Sequence, residues 1–361
     1  MKFDFVIGNP PYQLSKEKTE NQTQGNSSWI YQNFQFVADV ISDCSCLIYP
    51  FGGWFDTPTR LNKLGEKILT DKHTYLIHAY EGTSDKRAWY RNDRNPNPIF
   101  GEDANLSAGV SIVIRNKKRT YEDIRFKNRV YSDDEVFIKA DNLDMLTPNP
   151  RFMKINQKLG EDKLEAHIKK GIFGIESDFV EKNPDLVSYN KADWANPVQL
   201  LTNDKSGSSG RATMFWTDKK NIPQGHEYID LFKVITTSAY PKQKFSSGTP
   251  TVENVKERSK KIVELLPRNS AFGRSRMLLF ASKNEQDCLN FLKYTQTNFF
   301  AGIILQEPNR RTAIGFLLPW LAFSDDGDID WSRSVEEIDE QLYRKFNFTE
   351  EDIAFLMGGA E

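Results

Sequence analysis

The sequence predicts an α/β protein with a partial Rossmann-like sheet over residues 1–145 and a mixed α/β region with a helical C-terminus over residues 146–361. Three observations carry this. First, a short apolar run, Phe3, Phe5, Val6 and Ile7, stops at Gly8-Asn9-Pro10-Pro11, which cannot continue a strand. Second, a helical stripe (Trp29, Ile30, Phe34, Val37, Ala38, Ile41) leads into another apolar run, Cys46 to Pro50. Strand, helix, strand at that spacing implies a right-handed crossover between parallel strands. Third, the composition shifts between Asp141 and Pro150, where the boundary between the two regions is placed.

The first element reads as a buried strand ending in a stiff, exposed loop. Two consecutive prolines fix φ, and Pro11 drives Pro10 toward an extended conformation. The Pro10 carbonyl and the Asn9 amide are thereby held in place, with the flat ring of Tyr12 beside them. Such a corner suits a planar base bearing an exocyclic amine, whose lone pair is delocalised into the ring. Two acceptors, the Asn9 amide oxygen and the Pro10 carbonyl, would take its two hydrogens and draw the nitrogen toward a tetrahedral, reactive shape. Extruding a base from a duplex costs a few kcal/mol. Stacking returns roughly 1–3 kcal/mol and each hydrogen bond about 0.5–1.5 kcal/mol net, so ring and acceptors are needed together. The bland alternative is a Pro-Pro turn capping a strand, with Tyr12 in the core.

Asn9-Pro10-Pro11-Tyr12 directly after an apolar strand resembles the catalytic motif of the S-adenosylmethionine-dependent amino-methyltransferases, above all the adenine-specific DNA methyltransferases of restriction-modification systems. The resemblance implies that Asn9 and Pro10 hold the amine, that Pro11 locks the corner, and that Tyr12 stacks on a flipped adenine. The four letters also occur in methyltransferases of RNA and of protein glutamine.

Taken in order, residues 13–28 form a polar stretch in a position to close over a target base, or else an ordinary surface loop. Arg60 to Thr70 reads as a helix and Tyr75 to Tyr80 as a strand, with His78 as a core residue. Between Asp85 and Pro98, Lys86, Arg87, Arg91 and Arg94 alternate with Trp89 and Tyr90. That mixture suits a surface that tracks a nucleic-acid backbone, or a solvated loop with locally packed aromatics. Val110, Ile112 and Ile114 alternate as in a strand. This part resembles the last antiparallel hairpin of the same methyltransferases, so the likeness spans roughly residues 3–118.

In the second region, Ile168 to Val180 resembles the segment that opens the target-recognition domain of the family, a Gly-rich turn before a short strand; a plain structural hairpin is the alternative. Basic groups recur as candidate DNA contacts, among them Lys219, Lys220, Arg274, Arg310 and Arg311, the last two with Asn309 in a loop between apolar runs. Taken singly, such groups are solvated surface. Ser334 with Glu337, and Thr349 with Asp352, start two C-terminal helices. Val335, Ile338, Leu342 and Phe346 form one apolar stripe. Trp331 to Leu356 also resembles the tail of some restriction-system methyltransferases.

The chain has 361 residues, 39% hydrophobic and 27% charged, with a net charge of −2. That balance excludes a uniformly basic nucleic-acid binder but leaves room for a local basic cleft. Cys44, Cys46 and Cys288 give no disulfide framework, and Cys44 and Cys46 read as core thiols. With four scattered histidines, no metal site is expected. No signal-peptide pattern or membrane-length apolar run is found, which points to a reduced, cytoplasmic setting. The family also implies S-adenosylmethionine as cofactor, held by a strand, a Gly-rich turn and an acidic residue, usually ahead of the catalytic motif. These are not found, so the sequence reads either as an adenine methyltransferase acting on double-stranded DNA, with the cofactor-binding half supplied by a second polypeptide, or as a catalytically incomplete DNA-binding subunit. A metal-dependent nuclease built on Pro184-Asp185, Asp218 and Lys220 is a third reading, with elements spaced too far apart to be specific.

Overall fold

The computed structural model describes residues 2–14, 28–50, 63–80, 109–128, 135–140, 146–147, 149–207, 209–237, 251–306, 315 and 317–358. The chain divides into two compact units, Met1–Gln157 and Lys158–Glu361. The division falls inside a helix; of the stretch from Asp141 to Pro150, where the composition shifts, residues 141–145 and 148 lie outside the described residues.

The first unit runs β1 (Phe3–Gly8), β2 (Gln13–Leu14), β3 (Ser28–Trp29), α1 (Tyr31–Ile41), β4 (Ser42–Pro50), α2 (Lys63–Thr70), β5 (Thr74–Tyr80), β6 (Val110–Asn116), β7 (Asp123–Asn128), β8 (Val136–Lys139) and α3 (Pro150–Lys158). Its main sheet has the order β1-β4-β6-β5-β7-β8. β1 and β4 are parallel, as the strand, helix, strand spacing requires, with Phe3 opposite Ser42 and Gly8 opposite Leu47. β6 is antiparallel to both β4 and β5, whereas β5 and β7 are parallel.

Register aligns Leu47, Val113, Ile77 and Phe126 in one row across four strands. That row is fully buried with Tyr31 and Ala38 of α1, Leu64 and Ile68 of α2, and Met153 of α3. Alternation sends the next row, with Cys46 and Ile114, to the opposite face, where both are only partly buried. Two expectations are corrected here. Cys44 and Cys46 are half-covered groups on the second face rather than core thiols. β1 is not a buried strand: it is the edge of the sheet, and Phe3, Phe5 and Ile7 are exposed, because among the described residues no strand lies outside it.

Arg115 of β6, 1% exposed, anchors the layer between sheet and helices. Its guanidinium donates to the Lys67 carbonyl (2.9 Å), to Thr74 Oγ1 (2.8 Å) and to the Asp71 carboxylate. Asp39, on α1, lies 3.6 Å from the same guanidinium and 2.9 Å from Lys67 Nζ. A buried cation needs such partners, since an unpaired one costs several kcal/mol. His78 is half-buried, with Nε2 3.3 Å from Glu135 Oε1.

The second unit contains α4 (Leu164–His167), β9 (Lys169–Lys170), α5 (Phe179–Lys182), β10 (Pro197–Asn203), β11 (Ala212–Asp218), α6 (His226–Ile229), β12 (Phe232–Thr237), α7 (Val252–Ile262), β13 (Glu264–Leu266), β14 (Ser270–Phe272), β15 (Arg276–Ser282), α8 (Glu285–Tyr294), α9 (Asn298–Gln306), α10 (Val335–Lys345) and α11 (Glu350–Leu356). Two sheets, β11-β10-β14 and β13-β12-β15-β9, share a core of Phe173, Val198, Leu200, Phe215, Ile235 and Phe272. The Gly-rich turn holds Gly171 and Gly174 at φ 61° and 67°, but it follows the two-residue β9 instead of preceding a strand. Both C-terminal helices begin with capping boxes, at Ser334 with Glu337 and Thr349 with Asp352. Ile338, Leu342 and Phe346 of the anticipated stripe are buried.

Candidate active site

The corner at the end of β1 is built from three levels of structure. β1 is hydrogen-bonded to β4 up to Gly8, and the two prolines then end the ladder. Pro10 is buried while Asn9 and Pro11 on either side are exposed, so the corner is pinned at its middle and presents Asn9 outward. Chain direction is then fixed by the Tyr12 carbonyl, which accepts from the Ile30 N–H at 3.1 Å, and by the short β2–β3 pair that follows.

Tyr12 is half-buried, and burial pushes its phenol above the ordinary tyrosine range, so the ring is neutral at physiological pH. Its ring meets that of Tyr31 edge-on, with centroids 6.4 Å apart and planes at 78°. Tyr31 in turn lies 5.8 Å from Tyr49 of β4. The Tyr49 hydroxyl donates to Gln35 Oε1 at 2.6 Å, and Gln35 Nε2 donates to Asp39 Oδ1 at 2.8 Å. Asp39 belongs to the Arg115 cluster, so the Tyr12 ring rests on a chain of packed and hydrogen-bonded groups that reaches α2. Tyr31, Gln35 and Tyr49 were not singled out from the sequence. The available signal was a tyrosine and a glutamine four residues apart on the core-facing side of a helix, where two polar side chains imply a shared partner.

An open concavity of about 210 Å³ lies beside the corner, lined by Val6, Ile7, Gly8, Asn9, Pro10, Phe34, Val37, Ala38, Ile41 and Leu47. Among these, Asn9 alone has a polar side chain. Sites for whole small-molecule ligands run at about 300–1,000 Å³ and place several polar groups. The concavity is therefore of fragment size. Among the described residues it offers apolar walls but no carboxylate for ribose hydroxyls and no helix N-terminus for a charged end, and Ile30, the N-cap of α1, makes no side-chain cap. These residues do not fit a complete S-adenosylmethionine.

The other predicted site residues divide in two. Lys86, Arg87, Arg91, Arg310 and Arg311 lie outside the described residues, as does most of the stretch 13–28. Lys219 and Lys220 sit together on a 3-10 turn (Lys219–Asn221) in the second unit. Lys219 Nζ is 3.3 Å from Asp230, whereas Arg274 is engaged elsewhere, 2.7 Å from Glu176. The structure thus places the two lysines side by side and Arg274 apart from them in a separate ion pair. Asp218, weighed for a nuclease, caps that turn by accepting from the Lys220 N–H at 3.1 Å and the Asn196 N–H at 3.3 Å. These bonds hold its carboxyl below the usual range and use its oxygens structurally. Among the described residues, no group of three or more His, Cys, Asp or Glu is arranged to hold a metal, and no helix is long and apolar enough to cross a membrane.

No curated protein sequence matches the chain. Among solved structures, the chain is similar to the type IIL restriction-modification enzyme MmeI in complex with DNA (10% identity, TM-score 0.40, 98% of this chain and 56% of that one). It is also similar to the type IIG restriction endonuclease BpuSI (10%, 0.28, 94% and 50%). A third likeness is to a modification subunit of a putative type I restriction enzyme from Vibrio vulnificus YJ016 (12%, 0.24, 38% and 27%). The chain spans roughly a quarter to just over half of the length of these proteins. Residues 1–85, which contain the whole corner from Asn9 to Tyr12 and its support from Tyr31, Gln35 and Tyr49, match the Eco57I restriction-modification methylase family.

Proposed function

We propose that this chain is the catalytic and target-recognition part of a DNA methyltransferase of a restriction-modification system. It acts on the exocyclic amine of an adenine flipped out of double-stranded DNA, with S-adenosylmethionine as methyl donor. Residues 1–145 form the catalytic portion, on a partial Rossmann-like sheet, and residues 146–361 recognise the target and end in helices. One observation carries the reading: an exposed asparagine and a proline-locked carbonyl stand at the C-terminal end of a strand that pairs in parallel with its neighbour, with a half-buried tyrosine following two residues after Pro10 in the chain. In this reading Asn9 Oδ1 and the Pro10 carbonyl accept the two amine hydrogens and withdraw the nitrogen lone pair from the base. Tyr12 supplies the stacking face that offsets the cost of extrusion.

A second reading is favoured by the lining of the concavity, which among the described residues is apolar except for Asn9. In it the chain is the DNA-binding half of a split enzyme, active only with a polypeptide that brings the cofactor site. The test is transfer of labelled methyl groups to duplex DNA, run with the chain alone and with a cofactor-binding partner. Transfer by the chain alone supports the first reading, and transfer only with the partner supports the second. Methylation of RNA or protein in place of DNA would overturn both.

A further inference from the structure

In the second unit, one strip of surface carries cations that are not paired at home. β11 ends its sheet, and residues 188–191 cross its outer edge. There Ser188 and Trp216 exchange both main-chain hydrogen bonds, at 2.9 and 2.6 Å. The crossing sets Tyr189 against Phe215, with ring centroids 5.0 Å apart, and the Lys191 ammonium over the Trp216 ring at 5.3 Å, on opposite faces of the strand. Local turns fix the segment: the Asn190 N–H donates to Ser188 Oγ (2.9 Å) and the Ala192 N–H to Asn190 Oδ1 (3.0 Å). Tyr189 is still 73% exposed, more than any other described aromatic residue. Because Trp216 turns its main-chain groups to Ser188, alternation turns those of Met214 and Ala212 to the same side, where no strand lies among the described residues. Arg211, Lys191 and Lys220 flank this edge, all exposed, and among the described residues none of them forms an ion pair. Neighbouring acids are occupied: Asp204 Oδ1 accepts from the Arg211 N–H at 2.8 Å, Asp218 Oδ1 from the Lys220 N–H at 3.1 Å, and Asp193 from the Ser188 hydroxyl.

We infer that this strip is where the second unit holds DNA: Arg211, Lys191 and Lys220 neutralise phosphates along one strand of the duplex, and the Tyr189 ring stacks on a base face at a partly opened step. The inference rests on the function proposed above and names the residues through which that reading binds its target. Three features select the occupant. Cations without carboxylate partners gain a phosphate contact at no loss of an internal ion pair, unlike Lys219 on Asp230 or Arg274 on Glu176. An exposed flat ring lying between Arg211 and Lys220 along the strand selects a polyanion that carries bases. The length also matches, since Arg211 to Trp216 spans about 17 Å at roughly 3.4 Å per residue, or about five base-pair steps. A bare strand edge suits an extended polypeptide as well, but a peptide strand gives three unpaired cations nothing to neutralise unless it is strongly acidic.

The test is binding of the full-length chain to a mixed-sequence duplex of about 30 base pairs, followed by fluorescence anisotropy at several salt concentrations. Arg211→Ala and Lys220→Ala remove exposed side chains and are each expected to weaken binding by roughly threefold to tenfold, to reduce the salt slope by about 0.9, and to leave Tm unchanged. Tyr189→Leu keeps Phe215 covered but removes the flat face; it is expected to weaken binding by roughly fivefold or more with the slope unaltered. Ultraviolet irradiation of the complex with bromouracil-substituted duplex is expected to cross-link Tyr189. Wild-type affinity in all three variants overturns the inference, as does a wild-type chain that does not bind the duplex. Displacement of the duplex by polyglutamate at equal charge also overturns it, by identifying an acidic polypeptide as the occupant. Variants that lose DNA affinity while no condition yields methyl transfer leave the strip standing and remove the proposed function. Methyl transfer to DNA with affinity unchanged in every variant does the reverse.

Discussion

At the scale of single residues, the corner separates chemistry from support. Asn9 is exposed, so Asn9→Ala removes an acceptor without opening a hole in the core. Losing one preorganised hydrogen-bonding group at a reacting centre costs about 10²–10³ in rate. Methyl transfer is expected to fall by that factor or more while the affinity for duplex DNA, measured by fluorescence anisotropy, stays within about twofold. A parallel loss of affinity would make Asn9 a structural residue. Tyr12 differs, because one edge of its ring rests on Tyr31. Tyr12→Ala should weaken capture of an extruded base by about 1–3 kcal/mol. Tyr12→Phe keeps the stacking face, and the hydroxyl has no role in the proposed chemistry. Base extrusion followed with 2-aminopurine at the target position checks the pair, and equal signals from wild type and Tyr12→Ala would remove stacking from the account. The corner was legible in the sequence because proline and glycine impose their geometry locally. Tyr31, Gln35 and Tyr49 were not, because their partnership depends on a crossover that brings α1 onto β4.

At the scale of elements, local patterns and long-range partners separate in the same way. Helix starts were legible where the cap is local, as at Ser334 and Thr349. The start of α9 is held from 40 residues away, by the Asp339 carboxylate on the Asn298 and Phe299 N–H groups at 2.8 Å each, and no local pattern announces that. Strand periodicity located β4, β5 and β6, yet an apolar run such as that of β1 reads as buried whether or not a neighbour is present. Two packing predictions belong here. A Cβ on Gly302 of α9 would lie 2.9 Å from Leu356 Cβ and 3.1 Å from the Leu356 carbonyl oxygen. Gly302→Ala must therefore push α11 away, at a cost of about 1–3 kcal/mol by urea unfolding, despite the better helix propensity of alanine. Lys233 of β12 is fully buried, and its Nζ donates to the carbonyls of Tyr228 (3.0 Å), Ile229 (3.2 Å) and Leu231 (2.5 Å) around the end of α6. Burial pulls its pKa down to about 8 from the ordinary 10.5. Between those two values the unfolded chain keeps a proton that the folded chain has released, so unfolding free energy rises with pH across this window, by at most ~1.4 kcal/mol per unit. Below pH 8 both states are protonated and the penalty is constant. The stability difference between wild type and Lys233→Met should therefore change in favour of wild type from pH 8 to 10. A flat difference would mean that the ammonium stays charged in its carbonyl cage.

At the scale of the whole molecule, charge decides how DNA can be held. Acidic and basic residues nearly balance over the chain and within each of its two units, so no long-range field draws a polyanion to either. Several described cations in the second unit are also engaged at home, among them Lys219 with Asp230, Arg274 with Glu176, Lys158 with Asp352 and Lys345 with Asp328. To contact a phosphate, such a side chain must release a carboxylate, which offsets part of the gain. DNA binding is then expected to depend on few counterions. A plot of log K against log salt between 50 and 200 mM should have a slope no steeper than about −5, since each phosphate neutralised contributes roughly −0.9. Lys219→Ala should reduce that slope by about 1 only if Lys219 leaves Asp230 on binding. Asp230→Asn separates the cases: it frees the lysine in advance and should raise affinity for all duplex sequences alike, because phosphate contacts carry no sequence information. A slope near −10 would require an extensive cationic surface built from residues such as Lys86, Arg87, Arg91, Arg310 and Arg311, and would move the interface away from Lys219 altogether.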